Sequence, residues 1–117
     1  MNDRKLLEAA AKAAGYQWRW FGANFCIEGN PTIRTFKFWN PLTDDGDAMR
    51  LAVKLEITIQ QSCSLPELLQ SIECFHAADS DSSVFEEVLG SDPCAATRRA
   101  IVRAAAAIAQ SNDRSEP

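Results

Sequence analysis

The sequence predicts an α+β fold, a single domain with one mixed or antiparallel sheet flanked by helices. Three observations predict it. Alanine-rich segments near both ends, and a shorter stretch in the middle, carry apolar residues at helical spacing. The stretches between them alternate apolar and polar residues and are broken by Gly-, Asn-, Asp- and Pro-rich turns, the pattern of strands. The chain has 117 residues, 46% hydrophobic and 24% charged, which suits one domain with a buried core. Such a composition excludes disorder throughout. No stretch approaches the ~18 uninterrupted apolar residues of a membrane span.

The first helix is expected from Asp3 to Ala14. Asn2 or Asp3 can cap it, Leu6, Leu7, Ala10, Ala11, Ala13 and Ala14 make its apolar stripes, and Gly15 suits a left-handed C-cap. Tyr16, Trp18 and Trp20 then alternate with Gln17 and Arg19, and Phe25-Cys26-Ile27 resumes after a Gly22-Ala23-Asn24 break. Glu28-Gly29-Asn30-Pro31 is a turn, and Thr32 to Trp39 alternates again with Ile33, Thr35 and Lys37 on one side and Arg34, Phe36 and Phe38 on the other. This region reads as an antiparallel pair or meander.

A second helix starts near Asp44 or Asp45, whose carboxylates suit the positive end of its dipole. Ala48, Leu51, Ala52 and Leu55 form its apolar stripe. Glu56 to Gln60 alternates as a short strand. Residues 63–78 carry two signals: Ser64-Leu65-Pro66-Glu67 resembles a capping box, while Ile72 and Cys74 alternate, and a strand over 69–77 is the favoured reading. After the polar turn 79–83, Val84 to Leu89 reads as a returning strand. Asp92 as N-cap and Pro93 at the first helical position open the last helix, with Ile101, Ala105, Ile108, Val102 and Ala109 as its stripe. Residues 1–110 form one domain in this reading, and 111–117 a disordered tail.

Charge is unevenly distributed. The net charge of −4 divides into +3 over residues 1–43, −9 over 44–92 and +2 over 93–117. An acidic middle between basic ends argues against simple nonspecific adhesion to nucleic acid. It leaves room for a local basic patch or for an acidic face offered to a basic partner. The start of the chain leads into an amphipathic segment rather than a signal-peptide core, so the expected compartment is the cytoplasm of a bacterial host, with no membrane association. Cysteines 26, 63, 74 and 94 lack a CxxC pair and read as small apolar filler.

No catalytic constellation emerges. The Asp44, Asp45, Asp47 cluster lacks the alternating spacing of a calcium loop and reads as helix capping. Cys74-Phe75-His76 is one close pair, short of a zinc motif, and His76 is the single histidine. Scattered glycines form no phosphate loop. Neither catalytic residues, cofactor nor metal is assigned, and a non-enzymatic protein is expected.

Two segments carry a family resemblance. Trp39-Asn40-Pro41-Leu42-Thr43-Asp44-Asp45-Gly46-Asp47-Ala48-Met49-Arg50-Leu51-Ala52-Val53-Lys54-Leu55 resembles the core signature of the phage ABA sandwich domain family, small phage and prophage proteins. Ser91 to Ala105 resembles that family's C-terminal helix. With the leading helix and aromatic strands, the likeness covers most of residues 3–110. It implies an alpha-beta-alpha sandwich carried on phage or prophage genomes, and it brings no activity and no site residues. Segment 60–90 departs from the pattern.

Two functions are therefore expected. The first is a phage or prophage accessory protein that binds a host protein or nucleoprotein complex, most concretely an anti-CRISPR-like inhibitor of a defence system. Its partner-binding residues would be Glu73, Asp79, Asp81, Glu86 and Glu87, carboxylates able to engage a basic nucleic-acid groove. The alternative is a module binding single-stranded nucleic acid through Trp18, Arg19, Trp20, Arg34 and Lys37. Arg98, Arg99 and Arg103 on the last helix would meet phosphate or form a solvated face. A homodimer through a sheet edge or an alanine-rich helix face is compatible with either.

Overall fold

Asn2 caps the first helix: its side-chain oxygen accepts from the Lys5 backbone N–H at 2.9 Å, and α1 runs Asp3–Ala14. Gly15 ends it at φ 79°, a left-handed conformation that costs a residue with a Cβ roughly 1–2 kcal/mol. Asp44 caps α2 (Asp45–Lys54) by accepting from the Asp47 N–H at 2.8 Å. Asp92 accepts from the Ala95 N–H at 3.0 Å, and α3 (Pro93–Ser115) follows. This helix passes Ser111, where the sequence reading starts the tail, and continues to Ser115. The computed structural model describes residues 2–30, 32–33, 35–64, 69–76 and 84–115.

The strands are β1 (Trp18–Phe21), β2 (Asn24–Asn30), β3 (Thr35–Phe38), β4 (Ile57–Ser64), β5 (Leu69–His76) and β6 (Phe85–Val88). The strand reading over 69–77 is met by β5, and the competing capping box lies largely outside the described residues. The fold is α+β, but the single mixed or antiparallel sheet is corrected. Among the described residues the strands form two three-stranded sheets, ordered β1-β2-β3 and β4-β5-β6, and every pairing is antiparallel. Each strand pairs with its sequence neighbour, the arrangement that costs least loop-closure entropy. The second helix stands between the two meanders.

The core joins both sheets. Phe25, Ile27 and Trp39 from the first meet Ile57, Ile72 and Cys74 from the second in one apolar cluster with the helices. Helix α3 is its axis, packing on α1, α2, β5 and β6. Its expected stripe of Ile101, Val102, Ala105, Ile108 and Ala109 lies in or against the core, and further alanines widen it. Ala100, Ile101, Val102, Ala104, Ala105, Ala106 and Ala109 are all buried, so the helix is enclosed on most sides. Alanines on both helices permit that closeness; Ala10, Ala11, Ala100 and Ala105 are fully buried. Among the described residues no helix is long and apolar enough to cross a membrane.

Candidate functional site

The Gly22-Ala23 turn sets the register of the first sheet, pairing Phe21 with Asn24, Trp20 with Phe25, Arg19 with Cys26 and Trp18 with Ile27. On the other side, Cys26 pairs with Phe38, Ile27 with Lys37 and Glu28 with Phe36. Directly opposed residues share a face, and neighbours along a strand alternate. Trp18, Trp20, Phe25, Ile27, Lys37 and Trp39 therefore have the parity of the core face. Arg19, Phe21, Cys26, Glu28, Phe36 and Phe38 have the outward parity.

Burial follows this division at Phe25, Ile27 and Trp39 and at Arg19, Phe21 and Phe38, whereas Cys26 is buried on the outward side and Lys37 and Trp18 are exposed on the other. Phe25 is buried against Trp18 (ring centroids 5.6 Å), Trp20 (4.9 Å) and Trp39 (5.8 Å). The Trp20 indole N–H donates to Glu8 Oε2 at 2.9 Å, and the Arg4 guanidinium lies 3.9 Å from its ring centroid. Trp20 is thus a core residue with its polar edge satisfied. Trp18 keeps an exposed edge, but its ring stacks on Phe25.

The proposed platform of Trp18, Arg19, Trp20, Arg34 and Lys37 is consequently not one surface. Arg19 points to the opposite side from the two tryptophans and Lys37, and Arg34 lies outside the described residues.

Sequence reasoning missed the aromatic face that does look outward. Phe38 is 74% exposed and Phe21 47% exposed. Phe21 meets Phe36 edge to face at 5.9 Å, and the Arg19 guanidinium sits 5.2 Å from the Phe36 ring and 6.0 Å from that of Phe21. Arg19 is held in place by cation–π attraction while its N–H groups remain at the surface. The signal was present in the alternation of β3, which puts Phe36 and Phe38 on one side, and in Phe21 lying two residues from Arg19. What was needed was the pairing across the turn, which decides which alternate set faces water.

The acidic set is also divided. Glu87 turns toward α3, where it pairs with Arg103 at 2.9 Å and lies 4.0 Å from Arg99. That carboxylate is already engaged within the fold by the arginines of α3. Glu73 and Glu86 are directly opposed on β5 and β6, on the face turned away from α3. Ser71 Oγ donates to Glu86 Oε2 at 3.3 Å, and among the described residues neither carboxylate forms an ion pair. Like charges directly opposed weaken a strand pair. Asp79 and Asp81 lie outside the described residues.

Arg98, Arg99 and Arg103 of α3 do not form a solvated row; they cross-link the fold. Arg98 donates to the Leu42 carbonyl at 2.8 Å and pairs with Asp45. Arg99 pairs with Asp3 at 3.0 Å. Arg103, besides Glu87, donates to the Glu86 carbonyl at 3.2 Å and lies 5.1 Å from the Phe85 ring centroid. The aspartates of α2 are used likewise: Asp47 accepts from the Asn40 N–H at 2.9 Å and pairs with Arg50 at 2.8 Å. The Arg50 guanidinium beside Asp47 is held above its ordinary pKa.

All four cysteines are free thiols, with Cys26 and Cys74 buried and Cys63 and Cys94 exposed. Burial pushes the Cys74 thiol up to about 11. Among the described residues no three His, Cys, Asp or Glu side chains converge as metal ligands would. Compared with known proteins, the chain matches no family model, no curated protein and no solved structure.

Proposed function

We propose that the protein is a non-enzymatic binding protein that engages single-stranded nucleic acid through the outward face of its first sheet. The observation that carries this reading is the pair of exposed rings Phe21 and Phe38 beside the half-buried Phe36, with Arg19 fixed over Phe36. Exposed rings on a rigid sheet offer stacking surfaces to unpaired bases, worth about 1–3 kcal/mol per base. Arg19 supplies a cation at the same place. One phosphate contact to a single strand gives a log–log salt slope of about −0.7. Binding is therefore modest and only weakly salt-dependent, as suits a chain whose net charge is −4.

The test is fluorescence anisotropy of labelled single-stranded DNA and RNA at low ionic strength, with duplex DNA as control. Single strands bind, Phe38→Ala and Arg19→Gln each weaken binding severalfold, and duplex binds less. Absence of binding to any single strand at low salt sinks the reading.

The Glu73–Glu86 opposition favours a second reading. A fold that leaves two carboxylates face to face, with no ion pair to either among the described residues, gives up sheet stability, and a basic partner surface would relieve the repulsion. In this version the protein is a cytoplasmic phage or prophage product that inhibits a nucleic-acid-handling defence complex. The resemblance to the phage ABA sandwich family supports that origin, and the assembly of both sheets and three helices into one sandwich belongs to the same proposal. A tagged protein that retains a defence-complex subunit after nuclease treatment, and loses it on Glu73→Gln/Glu86→Gln, supports this version. Retention unchanged by that double substitution removes it.

A further inference from the structure

The two sheets have four edge strands, β1, β3, β4 and β6, and one of them differs from the rest. The edge β1 carries Arg19, β3 carries Lys37, and β6 carries Glu86 and Glu87, each on a strand of 4 residues. A charge on a short edge is the usual protection against pairing with another chain. The edge β4 runs 8 residues, Ile57-Thr58-Ile59-Gln60-Gln61-Ser62-Cys63-Ser64, and contains no charge and no proline. Its pairing with β5 is continuous along its length, without a bulge. Gln60, Gln61 and Cys63 are exposed.

We propose that β4 pairs antiparallel with β4 of a second copy, joining two three-stranded sheets into one of six strands. A second copy is the occupant because the strand is self-complementary. At every other edge self-pairing brings like charges of the two copies close together, Arg19, Lys37 or the Glu86 and Glu87 pair, whereas β4 opposes amides, hydroxyls and isoleucines. The alanine-rich helix faces do not compete for the role, since they are already buried between α1 and α3.

Symmetry restricts the register. A two-fold axis perpendicular to the sheet keeps each side chain on its own face, so opposed residue numbers must sum to an even number. Only registers centred on Gln60 or on Gln61 then use nearly the whole strand. Both place Ile57 or Ile59 opposite Cys63 and keep glutamine at the centre. The proposal does not depend on the nucleic-acid reading, because the aromatic face belongs to the other sheet.

Sedimentation equilibrium and light scattering of the full chain test it. A mass of twice 12.9 kDa at high micromolar concentration is expected. Gln60→Lys and Gln61→Lys each set a cation at or beside the two-fold and shift the protein to monomer. Both positions are exposed, and unchanged circular dichroism shows that the variants fold. In a background with Cys63→Ser and Cys94→Ser, Gln60→Cys or Gln61→Cys cross-links efficiently with a short bismaleimide, whereas Met49→Cys on α2 does not. A wild-type mass that stays monomeric, or a dimer indifferent to both lysines, overturns the proposal.

Discussion

Phe25 and Phe38 stand on opposite faces of the same three-stranded sheet, and truncating each to alanine separates the core face from the contact face. Phe25 is 4% exposed and Phe38 74% exposed. Deleting a buried phenylalanine ring costs about 3–5 kcal/mol. The upper half of that range is expected here, because Trp18, Trp20 and Trp39 each lose a ring neighbour, and such pairs add ~0.5–1.5 kcal/mol apiece. At about 4 °C per kcal/mol for a domain of this length, Phe25→Ala lowers the melting temperature by roughly 15–20 °C. Phe25→Leu keeps most of the volume and provides a milder member of the series.

Phe38→Ala removes a ring already in water, so its stability stays within about 0.5 kcal/mol of the wild type. Urea unfolding followed by tryptophan fluorescence measures both effects. Oligonucleotide binding should move the other way: Phe38→Ala loses roughly 5- to 150-fold, starting from a stacking contribution of ~1–3 kcal/mol. Comparable destabilisation by the two substitutions would refute the assignment of faces. Intact binding in a folded Phe38→Ala protein would refute the contact role.

Glu87→Gln removes a half-buried pair with Arg103 and should cost about 1 kcal/mol in urea unfolding, whereas Glu73→Gln should leave stability equal or slightly higher by relieving its opposition to Glu86. The Cys74 thiol, pushed up to about 11, stays neutral in the fold, while an unfolded thiol ionises near its ordinary value; this residue's contribution is therefore complete below that value and declines as pH rises toward about 11. Denaturation midpoints of wild type and Cys74→Ala across alkaline pH should converge, and maleimide should label Cys63 and Cys94 well before Cys26 and Cys74. Asp44→Ala deletes the cap of α2 and should lower stability by ~1 kcal/mol, measured by the same unfolding curves.

Much of the local structure was legible because its causes are local. A helix start depends on a side-chain oxygen within three residues of a free N–H, which is why the chain alone narrows the caps to Asn2 or Asp3, Asp44 or Asp45, and Asp92, of which Asn2, Asp44 and Asp92 take the role. Gly15 and the alternation of Leu69 to His76 are legible for the same reason. Of the three aspartates read as caps of α2, Asp44 takes that role, while Asp45 and Asp47 pair with Arg98 and Arg50. By contrast, Trp18, Arg19 and Trp20 cannot all belong to one surface of a strand, and choosing between their faces needs the partner strand.

Composition and periodicity by themselves determined an α+β chain with three helices, two or more strands before the second helix and three after it, an acidic middle and apolar stripes. Tertiary structure decided the rest, because hydrophobicity along a strand states only that one face is buried, not which neighbours cover it. The division into two sheets depends on hydrogen-bond pairing that no single strand encodes. Enclosure of α3 depends on elements up to 96 residues away, such as Asp3 reaching Arg99. For the same reason Glu87 and Glu86, adjacent in the chain, have opposite roles, one neutralised against α3 and the other facing Glu73.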